Sequence, residues 1–184
     1  MAIIFELWAE CRNKETTYLF ANHFDGLEHK LLTGRTIKWV AQVMKPPSYP
    51  LAVIVSSADL SSYGVRTMQD ALETTEAGLH LYHHLKTAPD FRFVRVAWEA
   101  GILPITELSE YVDIAANGER HLRLECVVDN ELFKQLGSPR FFHQFRNGYW
   151  WNRYRGETYR PLYSNDQPEL NELCRQLLPE YFSY

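Results

Sequence analysis

The stretch Leu51-Ala-Val-Ile-Val-Ser-Ser-Ala-Asp-Leu-Ser-Ser-Tyr-Gly-Val-Arg-Thr67, with the run Met68–Leu85 behind it, decides the fold class. Leu51–Val55 is apolar throughout and rich in β-branched residues, as in a strand buried on both faces. Ser56–Thr67 is a polar connection, and Thr67 with Asp70 three residues on predicts a capped helix running to about Thr87. Met68, Leu72, Leu79 and Tyr82 form its apolar stripe at helical spacing.

Upstream of that unit the chain reads as strands. Ala2–Cys11 alternates in part, the polar Arg12–Glu15 predicts a turn, and Thr16–Asn22 predicts a hairpin partner. Thr36–Met44 is a further strand, and Lys45-Pro-Pro-Ser-Tyr-Pro50 a stiff connection. Downstream, helices and strands alternate. Phe91–Trp98 is a strand, and Ile105–Ala116 has helical spacing and is stopped by Asn117-Gly118. Arg120–Val128 alternates, with Leu122, Leu124, Cys126 and Val128 on one face. A short helix follows Asp129 and stops at Gly137, and Pro168 opens a last helix. The stripe Leu170, Leu173, Cys174, Leu177 and Leu178 makes residues 168–178 a C-terminal docking helix. The expectation is a single globular α+β domain over 1–184: a mixed, largely antiparallel sheet with helices packed on it. A three-layer α/β arrangement is the alternative.

Composition narrows the function classes. With 184 residues, 46% hydrophobic and 23% charged, the chain has ample apolar material for a core, which excludes a disordered chain. No apolar run approaches the roughly 18–20 residues of a membrane span, so no membrane partner is expected. Cys11, Cys126 and Cys174 are an odd, scattered set, which argues for reduced thiols rather than a disulfide framework. The opening Met-Ala-Ile-Ile-Phe-Glu-Leu lacks the basic start of a signal peptide, and a cytoplasmic location is expected. Net charge is −4, but basic character is concentrated: residues 139–163 hold five arginines against one glutamate.

That segment, Pro139-Arg-Phe-Phe-His-Gln-Phe-Arg-Asn-Gly-Tyr-Trp-Trp-Asn-Arg-Tyr-Arg-Gly-Glu-Thr-Tyr-Arg-Pro-Leu-Tyr163, also holds nine aromatics. Guanidinium forks bind carboxylates and phosphates, and Tyr, Trp and Arg dominate protein–protein hot spots. Asn147-Gly148 predicts a hairpin turn that would display the segment. By strand parity Arg153, Arg155 and Arg160 share a face with Trp151, opposite Trp150, Tyr154 and Gly156. The competing reading is structural, with the rings filling the end of the core and the arginines pairing with acids.

Two further places could hold a site. On the helix after Thr67, Glu73, Glu76, His80, His83 and His84 fall within about 100° of one flank. Glu76/His80 and His80/His84 have the i, i+4 spacing with which two side chains grip one metal ion, zinc or another divalent cation. The same flank reads equally as the polar, exposed side of a surface helix. His23, His29, His121 and His143 are the other imidazoles, and nothing in the sequence brings them near. The loop Ser56–Thr67 is the second place, at a helix N-terminus where anions bind, although it reads more simply as a capped polar connection. The common phosphate-binding, nucleophile-elbow and zinc-protease signatures are absent, and none of Glu99, Asp113, Glu125 and Asp129 stands out as a catalytic acid.

The leading expectation is therefore a protein that acts by binding a protein partner through Arg146, Trp150, Trp151, Arg153, Tyr154 and Arg155. Two alternatives stand beside it. One is a metal-dependent hydrolase using Glu76, His80 and His84. The other is a protein that binds single-stranded nucleic acid through the same arginines and rings.

Overall fold

Phe5, Leu7 and Ala9 alternate with Glu6, Trp8 and Glu10 along β1 (Phe5–Glu10), and this period of two organises the molecule. The first set joins a large core with Phe20, Phe24, Leu79, Tyr82 and Leu85. Trp8 joins a second core with Phe93, Cys126, Val128, Leu132 and Phe133. The computed structural model describes residues 4–45, 51–60, 63–100, 108–109, 125–157 and 167–182. Its other strands are β2 (Glu28–Lys30), β3 (Thr36–Lys38), β4 (Val40–Met44), β5 (Ala52–Ser56), β6 (Phe93–Trp98), β7 (Cys126–Asp129), β8 (His143–Arg146) and β9 (Tyr149–Asn152). Its helices are α1 (Lys14–Phe24), α2 (Met68–Leu85), α3 (Asn130–Gln135) and α4 (Pro168–Leu177), with a 3-10 turn at Pro179–Phe182.

Seven strands form one sheet in the order β4-β5-β1-β6-β7-β9-β8, and β2 pairs with β3 in a separate ribbon. Among the described residues every pairing is antiparallel. The fold is thus the expected α+β. Residues of α1, α2 and α4 cover one face and those of α3 the other, so both faces are buried, but without the parallel crossovers of an α/β fold. At the centre, Leu7 lies opposite Val55 and Val96, and Trp8 opposite Ile54 and Arg95. Among the described residues no helix is long and apolar enough to cross a membrane.

The caps behave as the residues dictate. The Thr67 side chain accepts from Asp70 N–H while Asp70 reaches back to the Thr67 amide, a reciprocal box that starts α2. Asp129 caps α3, accepting from Leu132 N–H at 2.7 Å. Gly137, at φ 78°, takes the left-handed conformation just past the end of α3. Two expectations need correction. Thr16–Asn22 is helix, not a hairpin partner: Asn13 and Thr16 form a capping box, and Phe20, Ala21 and Phe24 recur at helical spacing into the core. Thr36–Met44 is two strands in two sheets, divided at the buried Trp39. Along the described part of Arg120–Val128 the expected alternation holds, with Cys126 and Val128 in one core and Val127 in the other. The expected helix Ile105–Ala116 lies outside the described residues except for the helical Leu108 and Ser109.

α4 docks as its stripe predicts. Leu170, Cys174 and Leu178 are buried, with Leu173 and Leu177 packed alongside. It lies against α2, where His83 Nδ1 donates to the Leu177 carbonyl at 2.9 Å. On the sheet side, α2 presents Gly78 to the Tyr154 ring. A Cβ built at Gly78 would lie 2.6 Å from two ring carbons and the hydroxyl oxygen of Tyr154, which is fully buried. Gly78→Ala in an exposed helix would stabilise by about 1 kcal/mol. Here it should destabilise by about 1–3 kcal/mol through overpacking, read as a lowered denaturant midpoint with unchanged slope.

Candidate functional site

Apart from the exposed His83, the acidic and histidine flank of α2 is covered rather than solvated, which corrects the exposed-face reading. Glu73 and Glu76 are 4% and 3% exposed. The β2–β3 ribbon closes over them and supplies donors. Glu76 accepts the Leu32 amide through both oxygens, each at 2.9 Å. Glu73 accepts from Thr33 at 2.9 Å, Arg35 at 3.1 Å and Gln69 at 3.0 Å. Burial alone would push the Glu73 carboxyl up, but these hydrogen bonds outweigh it and hold the group below the usual carboxylate range.

The histidines of the flank meet His29 and His23, which come from distant parts of the chain. His29 on β2 stacks on His80, ring centres 4.3 Å apart, and its Nε2 lies 2.8 Å from Nε2 of His84. Trp39 donates its indole N–H to Nδ1 of His29 at 3.0 Å. Nδ1 is therefore an acceptor, the His29 proton sits on Nε2, and His29 donates to His84. His23 from α1 donates Nε2–H to the backbone carbonyl of His84 at 3.1 Å. A second proton on either His29 or His84 would set two donors against each other. Burial, then the charges of neighbouring imidazoles, lowers both His29 and His84 to about 4.

As a metal centre the flank does not close. Glu76 is turned to the Leu32 amide, its Oε1 3.9 Å from Nε2 of His80, and Nε2 of His84 is taken up by His29. Among the described residues no three His, Cys, Asp or Glu side chains gather as a ligand set. The Ser56–Thr67 loop is likewise organised by its own acid: Asp59 accepts the Lys38 amide at 3.0 Å and the Ser57 hydroxyl at 3.4 Å. A carboxylate in that place opposes an anion.

The Arg/aromatic segment divides. Asn147-Gly148 makes the expected hairpin turn between β8 and β9, with Gly148 at φ 80° and a bulge between Gln144 and Arg146. Trp151 is fully buried against Tyr82 and Phe145, and Tyr154 is fully buried against Tyr82. Trp150 faces the other core, stacked on Phe133 at 4.2 Å, with its N–H on Asn130 at 3.2 Å. Arg146 lies over Tyr149 and donates Nη1–H to the carbonyls of Lys86 at 3.1 Å and Ala88 at 2.7 Å. Of the six residues singled out, these four are packed into the fold. The expected parity also fails beyond Asn152, where β9 ends, and Tyr154 turns into the same core as Trp151.

Arg153 and Arg155 remain near the surface. They line a cleft of about 380 Å³ with Phe141, His143, Asn152, Tyr181 and Phe182. Arg155 is exposed, and Arg153 is half-buried with its guanidinium 6.0 Å from the Tyr181 ring centre. His143 is lowered by burial and by the charge of Arg153. Among the described residues no Asp or Glu lines the cleft, and Glu180 pairs with Lys86 at 2.8 Å. The lining was only half legible: Arg153, Arg155, His143 and Phe141 belong to the flagged segment, whereas Tyr181 and Phe182 arrive from beyond α4. A wider cleft of about 510 Å³ includes Arg12, Asp129 and Glu131, but there Arg12 is already paired with both acids. Arg160 lies outside the described residues, as does His121.

Compared with known proteins, the chain matches no family model, no curated protein and no solved structure. The cleft and the histidine cluster therefore stand on their own geometry.

The histidine cluster makes a pH prediction. With folded-state values near 4 and an unfolded value near 6.5, the unfolded chain binds more protons than the native one between those limits. Stability contributed by neutral His29 and His84 is present above about pH 6.5 and is lost as pH falls toward 4. Thermal midpoints should fall over that interval, and His29→Gln should make the fall shallower. A midpoint flat from pH 7 to pH 4.5 would contradict the assignment.

Proposed function

We propose that this protein acts by binding an acidic segment of a partner protein, which it holds at the cleft beside the exposed Arg155. The observation that carries the reading is the exposed guanidinium of Arg155 on a cleft whose described lining also holds an imidazole and three aromatic rings and no carboxylate, on a chain of net charge −4. Charge-assisted hydrogen bonds from guanidinium to carboxylate gain strength beside partly dry walls. Rings and an exposed arginine supply the anchor and rim of a hot spot. The nucleic-acid alternative asks for arginines spread along one exposed face. Arg146 is instead bound to two backbone carbonyls, and the cleft is short. The proposal carries over a cytoplasmic setting, supported by three free and buried cysteines whose thiols burial pushes up to about 12.

Arg155→Ala is the direct test, because the side chain is exposed and its loss should leave the thermal midpoint within about 1 °C. A labelled peptide of alternating Glu and Phe should bind the native protein with anisotropy rising to saturation. The variant should bind about tenfold more weakly, the loss of one charge-assisted contact. Equal binding by native protein and variant, or equal binding of a Lys/Phe peptide, would remove the proposal. A twelve-nucleotide single strand bound more tightly than the acidic peptide would return the nucleic-acid reading.

A further inference from the structure

We infer that the β2–β3 ribbon is an acid-released cover: protonation at the His29–His84 seam detaches it from α2 while the seven-stranded sheet stays folded. The inference goes beyond the binding role proposed above and does not depend on the cleft. Five of the chain's seven histidines meet at this seam through ring contacts, His23–His84 at 6.2 Å, His29–His80 at 4.3 Å, His29–His84 at 4.9 Å and His83–His84 at 5.8 Å. They come from α1, β2 and α2, so the contacts tie three elements together.

The hydrogen bonds of the seam leave no place for another proton. Nδ1 of His29 accepts from Trp39, and its Nε2–H donates to Nε2 of His84. A proton added at Nδ1 of His29 faces the indole N–H, and one added at Nε2 of His84 faces the His29 N–H. Either addition breaks a bond of the ribbon and sets a charge beside other imidazoles. Among the described residues the titratable groups around the two rings are His23 from α1 and His80, His83 and Glu76 from α2. Glu76 gives both oxygens to the Leu32 amide and approaches His80 at 3.9 Å. Within the ribbon, Glu28 pairs with Lys38 at 3.6 Å, and Arg35 is held by Glu73. Once the ribbon is away, water solvates both rings, and the open form takes up protons that the closed form excludes. With closed-state values near 4 and open-state values near 6.5, each ring favours opening about twentyfold more at pH 5 than at pH 7.

The ribbon is built to part as a unit. Among the described residues its strands pair only with each other, in a sheet separate from the seven strands. Its hydrogen bonds to α2 all end on side chains of that helix, Glu73, Glu76 and His84. Asp25 accepts the Ala41 amide at 3.0 Å, which ties the chain at the foot of the ribbon and leaves β4 in place. The inner face of the ribbon, Leu31, Ile37 and Trp39, packs into the large core and keeps the cover closed at neutral pH. That apolar face is what acid uncovers.

Hydrogen exchange of the full chain at pH 7 and pH 5, read as protection relative to a free peptide at the same pH, tests the inference. The Leu31 and Leu32 amides should lose at least tenfold of their protection between the two. At pH 5 they should be at least a hundredfold less protected than the amides of β1. Equal protection of ribbon and β1 at pH 5 would mean that the whole chain opens together and would overturn the inference, as would unchanged ribbon protection. The double variant His29→Gln, His84→Gln should lose the pH response of Leu31 and Leu32. An undiminished response would move the trigger to Glu73 and Glu76 and overturn the assignment. If that variant is already open at pH 7, ring-nitrogen NMR of the native protein decides: His29 and His84 should become charged in step with the loss of Leu32 protection. Charging of both rings beneath a ribbon that stays protected would sink the idea.

Discussion

Burial of α2 on nearly every side is the constraint from which the rest of the structure follows. Eleven of its 18 residues are buried, and among them are two glutamates. A helix covered all round is ordinarily apolar all round. Here one flank stays ionic, so whatever covers it must bring hydrogen-bond donors, or each buried carboxylate would carry an uncompensated desolvation cost of several kcal/mol. The β2–β3 ribbon is that cover. It presents the Leu32 amide, the Thr33 hydroxyl and Arg35 to the two acids, and His29 to His84. An isolated two-stranded ribbon is marginal in water. Ribbon and helix flank therefore need each other, and the histidine cluster is the polar seam of that dependence.

What could be read along the chain tracks how local the deciding interaction is. The start of α2, the capped α3 and the stripe of α4 rest on residues three or four apart, and each was legible. The burial of Glu73 and Glu76 was not, because charged side chains read as solvated until their partners are known. The ribbon partners Leu32, Thr33 and Arg35 lie 38 to 44 residues away in sequence. Thr16–Asn22 shows two local signals in competition. Its β-branched and aromatic residues suggest a strand, but a capping box starting at Asn13 and a helical repeat of apolar residues decide for the helix. Trp39 shows the opposite limit. A continuous strand-like run is split because one ring is buried at the junction and its N–H is bound to His29.

The Arg/aromatic segment was visible as an anomaly of composition, and the structure resolves it into two populations. Its rings do core work on both faces of the sheet: Phe145, Tyr149, Trp151 and Tyr154 on the α2 side, and Phe142 and Trp150 on the α3 side. Arg146 serves the same end, closing the carbonyls at the end of α2 while lying over Tyr149. Composition could not separate these roles, because an arginine stacked on a ring and an arginine at a rim are the same letter. The difference lies in the register of β9 and in its end at Asn152, after which alternation no longer predicts a face.

That division also explains how a rim charge can be held with some precision. Arg153 lies over Tyr181, Tyr181 packs on Trp151, and Trp151 packs on Tyr82 of α2, with ring separations of 5.9 and 5.8 Å along the last two steps. Tyr154, one residue before Arg155, is wedged against Gly78 of the same helix. Both arginines thus leave the core from residues that α2 holds in place, and the ordering of that backbone is met on folding rather than on binding. The helix whose buried acids require the β2–β3 ribbon is also the anchor that preorganises the cleft, so cleft geometry should answer to substitutions at Gly78 and Tyr82 that touch no ligand.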